Sequence, residues 1–156
     1  MNPTSTQLPT LQLGSQGAAV RTLQHLLNQR VSRDYIVAVD GIFSAKTKQA
    51  VAVFQYSKLL RRDGIVSAKT WLALETNMPA AMPLIRRGSK GEAVSIAQAI
   101  LKEGGLYLGC ADGNFGTQTE MVVRSFQAHQ NLVADGIVGN QTWLALSNLA
   151  TYLAFD

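Results

Sequence analysis

Side chains able to make or break covalent bonds are few in this 156-residue sequence: one cysteine, Cys110, and two histidines, His25 and His129. Nucleophilic catalysis needs a hydroxyl or thiol beside a base, and metal-assisted hydrolysis needs several His, Cys or carboxylate ligands at one point. The histidines fall in unrelated stretches and neither lies in an H-E-x-x-H pattern. Ser44-Ala45-Lys46 and Ser67-Ala68-Lys69 have the spacing of a serine–lysine pair. At the related positions further on, however, the chain reads Gly116-Thr117-Gln118 and Gly139-Asn140-Gln141. Asp40, Asp63, Asp112 and Asp135 could be taken for paired carboxylates, yet each is followed by glycine, which marks a turn whose aspartate bonds nearby backbone. No catalytic residues, metal ligands or cofactor motif emerge, so the chain reads as a non-enzyme. Cys110 cannot form an intramolecular disulfide and reads as a small, partly buried thiol.

The aspartates lead to the organisation. DGIFSAKT begins at Asp40 and DGIVSAKT at Asp63, 23 residues later; DGNFGTQT begins at Asp112 and DGIVGNQT at Asp135, again 23 apart. Displacing the chain by 72 residues makes 17 of the 35 positions from Asp40 to Leu74 identical to Asp112–Leu146. Upstream, LGSQGAAVRTLQHLL from Leu13 matches RGSKGEAVSIAQAIL from Arg87 at an offset of 74, which places a two-residue length change in the loop after the first helix. The chain is a duplication, with domains expected over 11–75 and 84–149 and Glu75–Pro83 as a stiff, proline-bearing linker.

Each copy predicts three helices. Val20, Leu23, Leu26 and Leu27, like Val94, Ile100 and Leu101, follow one apolar helical face. Val51 with Phe54 and Trp71 with Leu74 supply the inner faces of the next two helices, as do Val123 with Phe126 and Trp143 with Leu146. The octapeptides are turns followed by helix starts at Ser44, Ser67, Gly116 and Gly139. Val66 and Val138 stand where they can staple to Trp71 and Trp143; at the other two starts that partner is Lys48 or Glu120. Ser89 and Glu92 have capping-box spacing for the first helix of the second copy. The expected fold is all-α: two tandem, internally duplicated three-helix bundles.

Charge is uneven. The net value is +4, but residues 1–78 carry nine Lys/Arg against four Asp/Glu (+5), whereas residues 79–156 carry five against six (−1). A basic half suits an anionic partner. No apolar run reaches the ~20 residues of a membrane span, and the opening MNPTSTQLPT has neither the basic start nor the apolar stretch of a secretory signal. A basic helix-turn-helix-like nucleic-acid binder is the weaker alternative, because no single predicted helix gathers the Arg/Lys and Asn/Gln of a recognition helix.

The ordered string G-S-x-G-x-x-V-x-x-x-Q-x-x-L, D-G-x-F-G-x-x-T-x-x-x-V-x-x-F-Q and D-G-I-V-G-x-x-T-W-x-x-L resembles the small three-helix peptidoglycan-binding domain found beside bacterial cell-wall hydrolases and in phage endolysins. The second copy follows the pattern closely; the first has Ser44 and Ser67 at glycine positions and Leu59 near another. The resemblance implies non-covalent attachment to peptidoglycan, through its glycan strand or stem peptide, at the cell wall or in the periplasm, with catalysis supplied by a separate hydrolase. The alternative is that the chain is the targeting part of a hydrolase or endolysin. Helix starts offer unpaired N–H groups and a positive dipole end, and the residues expected to face the ligand there are Lys46 and Lys69 in the first copy and Asn114, Thr117, Gln118, Asn140 and Gln141 in the second. Tyr35 and Tyr107, just before the first turn of each copy, are expected to border the site. The neutral groups of the second copy suit amides and sugars, and the lysines of the first suit carboxylates.

Overall fold

The computed structural model describes residues 8–107 and 109–156, so the leader reading of MNPTSTQLPT falls largely outside the described residues. Among the described residues six α-helices follow one another: α1 (Ala18–Arg30), α2 (Ala45–Ser57), α3 (Ala68–Thr76), α4 (Glu92–Glu103), α5 (Thr117–His129) and α6 (Asn140–Phe155). A short 3₁₀ turn, Arg33–Tyr35, follows α1. Among the described residues there are no strands, only isolated antiparallel bridges. The fold is all-α and divides into two compact units, one through Ala80 and the other from Ala81 to Ala154.

The helices start where the octapeptides place them. Ser44, Ser67, Gly116 and Gly139 are the N-cap residues of α2, α3, α5 and α6, all with extended backbone. Only Ser44 caps with its side chain, its Oγ accepting from Thr47 N at 3.4 Å. At Gly116 and Gly139 no atom lies within 4 Å of where a Cβ would stand, so serine replaces glycine at this position without strain. The Ser89–Glu92 capping box is not formed. The N-cap of α4 is Gly91, with φ 122°, and Glu92 is the first helical residue. Ser89 lies too early; its Oγ instead accepts from Arg86 N at 3.0 Å, as Ser15 Oγ accepts from Gln12 N at 3.0 Å.

Each unit closes through its own leading segment. In the first, Leu11 and Val66 exchange backbone bonds of 3.0 and 2.8 Å, and the Trp71 indole donates to the Pro9 carbonyl at 2.8 Å. In the second, Ile85 and Val138 exchange bonds of 3.2 and 2.8 Å, and Trp143 donates to Pro83 at 2.8 Å. Val66, Trp71, Val20, Leu23, Leu27, Phe54 and Leu74 form one buried cluster with neighbouring apolar residues. Val94, Ile100, Leu101, Val123, Phe126, Val138, Trp143 and Leu146 are buried in the second unit. Each such side chain contributes about 1.5–3 kcal/mol on leaving water.

The third helices end differently. α3 stops at Thr76, with Asn77 left-handed at φ 58°. Arg30 Nε donates to Leu74 O at 3.0 Å and Lys58 Nζ to Asn77 O at 3.2 Å, placing cations on the negative end of the helix. In the second unit the corresponding residues are Gly104 and Gln130, and α6 continues to Phe155.

Candidate functional site

Four buried glutamines organise the four Asp-Gly turns. Gln55, on α2, donates from Nε2 to Asp63 Oδ1 at 3.1 Å, to Ile65 O at 2.9 Å and to Thr70 Oγ1 at 3.1 Å. Its Oε1 accepts from Gly64 N at 3.0 Å. Gln127, on α5, repeats this with Asp135 at 3.1 Å, Ile137 O at 2.9 Å, Thr142 Oγ1 at 3.1 Å and Gly136 N at 2.9 Å. Gln24, on α1, does the same for Asp40, Ile42 O, Thr47 and Gly41 N, and Gln98, on α4, for Asp112, Asn114 O, Thr119 and Gly113 N. Each amide thus ties the turn to the first helical turn after it. The glutamines belong to the sequence string, but their partners lie 8–23 residues away along the chain, and nothing local marks them as clamps.

The aspartates act as the turn reading expects. Asp40, Asp63, Asp112 and Asp135 each accept, through Oδ1, the N–H two residues on at 2.9 Å. Backbone N–H donation from Ile42, Asn114 and Ile137 holds the carboxyls of Asp40, Asp112 and Asp135 below the ordinary 3.8, with the clamp glutamines assisting. Gly41, Gly64, Gly113 and Gly136 have φ between 72° and 78°, which glycine adopts without the clash a Cβ would bring.

This scaffold presents its helix starts outward. Lys46 and Lys69 are the second residues of α2 and α3, and both are exposed. Thr117 and Gln118 open α5, Asn140 and Gln141 open α6, and Asn114 follows its turn; all five are exposed. Tyr35 is half-buried at the end of the 3₁₀ turn. Tyr107 departs from expectation: it is only 6% exposed, and its hydroxyl donates to Cys110 O at 3.1 Å, so its ring belongs to the interior and not to a rim. Cys110 is exposed, not partly buried. His25 faces Gln29, and His129 Nδ1 lies 2.8 Å from Ser125 O, each within its own helix. Among the described residues no three His, Cys, Asp or Glu side chains are grouped to hold a metal.

A family profile described as a peptidoglycan binding domain matches residues 16–74 and again 90–146. Among curated proteins, the chain is 36% identical over 115 residues to the N-acetylmuramoyl-L-alanine amidase CwlM of Mycobacterium tuberculosis, covering 70% of this chain and 28% of that protein. It is 33% identical over 101 residues to the spore cortex-lytic enzyme of Bacillus cereus, covering 65% of this chain and 39% of that protein. Among solved structures, the SleB N-terminal domain is 37% identical, with a TM-score of 0.44, over 45% of this chain and 96% of that one. The chain therefore spans well under half the length of these curated relatives.

Proposed function

Because the chain belongs to the peptidoglycan binding domain family, carrying its domain twice, we propose that it is a non-catalytic binder of bacterial cell-wall peptidoglycan that anchors or targets through two tandem domains. The observation that carries this reading is that both matched spans enclose a complete set of clamped turns and outward helix starts. Lys46, Lys69, Asn114, Thr117, Gln118, Asn140 and Gln141 are the proposed contacts, with Tyr35 beside them; Tyr107 acts from the core. Peptidoglycan offers N-acetylated sugars, amides and free carboxylates, which neutral hydrogen-bonding groups and exposed ammonium groups match respectively. Work at the cell wall follows from this ligand.

The relatives favour a second reading of the chain's context: an amidase and a cortex-lytic enzyme of which this chain covers 28% and 39%. In that reading the same two domains deliver a catalytic partner, either joined to the chain or separate. The test is co-sedimentation of the purified protein with insoluble peptidoglycan, using cellulose and chitin as controls. We expect the protein in the peptidoglycan pellet and no soluble sugar or peptide released on prolonged incubation. Equal sedimentation with all three polymers would remove the binding claim, and release abolished by a point substitution would remove the non-catalytic one.

A further inference from the structure

The two units serve as internal controls for each other, and they differ in charge along the clamped turns. Arg21, on α1, lies against the first turn: a Cβ on Gly41 would meet its Nε at 3.1 Å. Lys48, on α2, lies over the second, where a Cβ on Gly64 would come within 2.7 Å of its Cγ. Lys46 and Lys69 stand exposed at the helix starts that follow these turns. The corresponding residues of the second unit are Ser95, Gln118, Glu120 and Gln141. Ser95 and Glu120 occupy the same places over Gly113 and Gly136, although Arg124 Nε also lies 3.2 Å from a Cβ on Gly136. Four positions that are all cationic in one unit thus carry a single negative charge in the other.

The fold does not require those cations, since the second unit closes the same clamps without them. Nor are they neutralised alike. Glu120 faces Arg87 at 3.9 Å and Arg124 at 4.0 Å. Among the described residues Lys46, Lys48 and Lys69 form no ion pair, and Arg21 is near enough to Asp40 only to help keep that carboxyl ionised. Asp40 and Asp63 are the carboxylates of the same two turns, so the four cations leave a net positive charge there, which attracts an external anion.

We infer that this face of the first unit docks a flexible polyanion of the wall: a linear polymer whose repeating units each carry one phosphodiester. The inference rests on the proposed function for placing the chain at the wall. Lysine ammonium groups are point charges without directional demand, which suits a mobile polymer. Single-stranded nucleic acid fits less well, because base stacking needs open aromatic faces, whereas Phe54, Tyr56 and Trp71 on α2 and α3 are buried.

The experiment uses the full chain and three preparations of peptidoglycan sacculi: with phosphodiester polymers attached, stripped of them, and stripped with peptide carboxylates then amidated. The first variant carries the second unit's residues, Arg21→Ser, Lys46→Gln, Lys48→Glu and Lys69→Gln; a milder one carries only Lys46→Gln and Lys69→Gln, both at exposed sites. With the ~0.7 counterions per cation of single-stranded nucleic acid as an upper limit, four cations weaken wild-type binding by at most about 50-fold between ~50 and ~200 mM salt. The fourfold variant should lose most of that salt dependence and the double variant about half, with helix content and melting preserved. Loss of the salt-dependent component on stripping supports the inference, and its loss only on amidation overturns it, placing the lysines on the peptide carboxylates instead. Equal salt dependence in wild type and both variants overturns the inference, as does tighter binding to single-stranded DNA than to any sacculus. Failure of wild-type protein to sediment with any sacculus at any salt would instead overturn the proposed function.

Discussion

The clamp glutamines show how a single amide can hold a turn together. Gln127 satisfies a glycine N–H, a carbonyl, a carboxylate oxygen and a threonine hydroxyl while only 1% exposed. Gln127→Leu preserves volume but leaves buried polar groups without partners, each costing about 1–3 kcal/mol. We expect a loss of at least ~3 kcal/mol by urea denaturation. Gln127→Glu should cost more, because a carboxylate still accepts from Gly136 N but cannot donate to Ile137 O and lies against Asp135. If Gln127→Leu cost under ~1 kcal/mol, the amide would be a bystander. The aspartates and glycines of these turns were legible in the sequence because their bonds are local; the glutamines were visible only as recurring letters.

At the level of elements, the exits from the second helices separate local strain from packing. Leu59 and Asn131 occupy equivalent left-handed positions, with φ of 65° and 59°. The next residue in each case, Leu60 or Leu132, donates back to the carbonyl of Gln55 or Gln127 at 2.9 or 2.8 Å. Left-handed backbone costs a leucine about 1–2 kcal/mol, whereas asparagine and glycine tolerate it. Leu59, however, is only 2% exposed, and deleting a buried leucine costs about 2–5 kcal/mol. Burial outweighs strain, so Leu59→Gly should destabilise by about 1–3 kcal/mol in thermal or urea unfolding, while exposed Asn131→Gly should stay within about 0.5 kcal/mol of the parent. The reverse ranking would mean that strain governs this position. Helix starts were correctly read from local chemistry, but the capping box was not, because G-S-x-G bonds across to the Asp-Gly turn: Gly88 N reaches Phe115 O, and Gly91 N reaches Gly113 O, each at 2.9 Å.

For the whole molecule, the closures described above all fall within their own unit, so each half contains what it needs to fold. Residues 1–80 and 81–156, expressed separately, should each show helical circular dichroism and one cooperative melt. The start at Leu84 read from the repeat pattern can be tested in the same series. Beginning at Leu84 removes the Pro83 carbonyl that accepts from the Trp143 indole, leaving the N–H of a residue only 4% exposed without that partner. The 84–156 fragment should therefore be less stable than 81–156 by about 1–3 kcal/mol. Equal stability would place the domain boundary at the repeat, as the sequence pattern has it.

Duplication, the all-α class, the positions of helix starts and the apolar faces follow from the sequence alone, because each depends on residues within a few positions of one another: an Asp-Gly pair, an N-cap, a 3.6-residue period. The charge contrast between Lys46, Lys69 and their neutral counterparts is equally a property of the chain. Tertiary structure alone decided which polar residues became structural and which remained free. It turned Tyr107 inward, exposed Cys110, drew Pro9 and Pro83 onto tryptophans 62 and 60 residues away, and set Arg21 and Lys48 over glycines. Those outcomes depend on a buried donor finding an acceptor, or a side chain finding space, across sequence separations that no local pattern encodes.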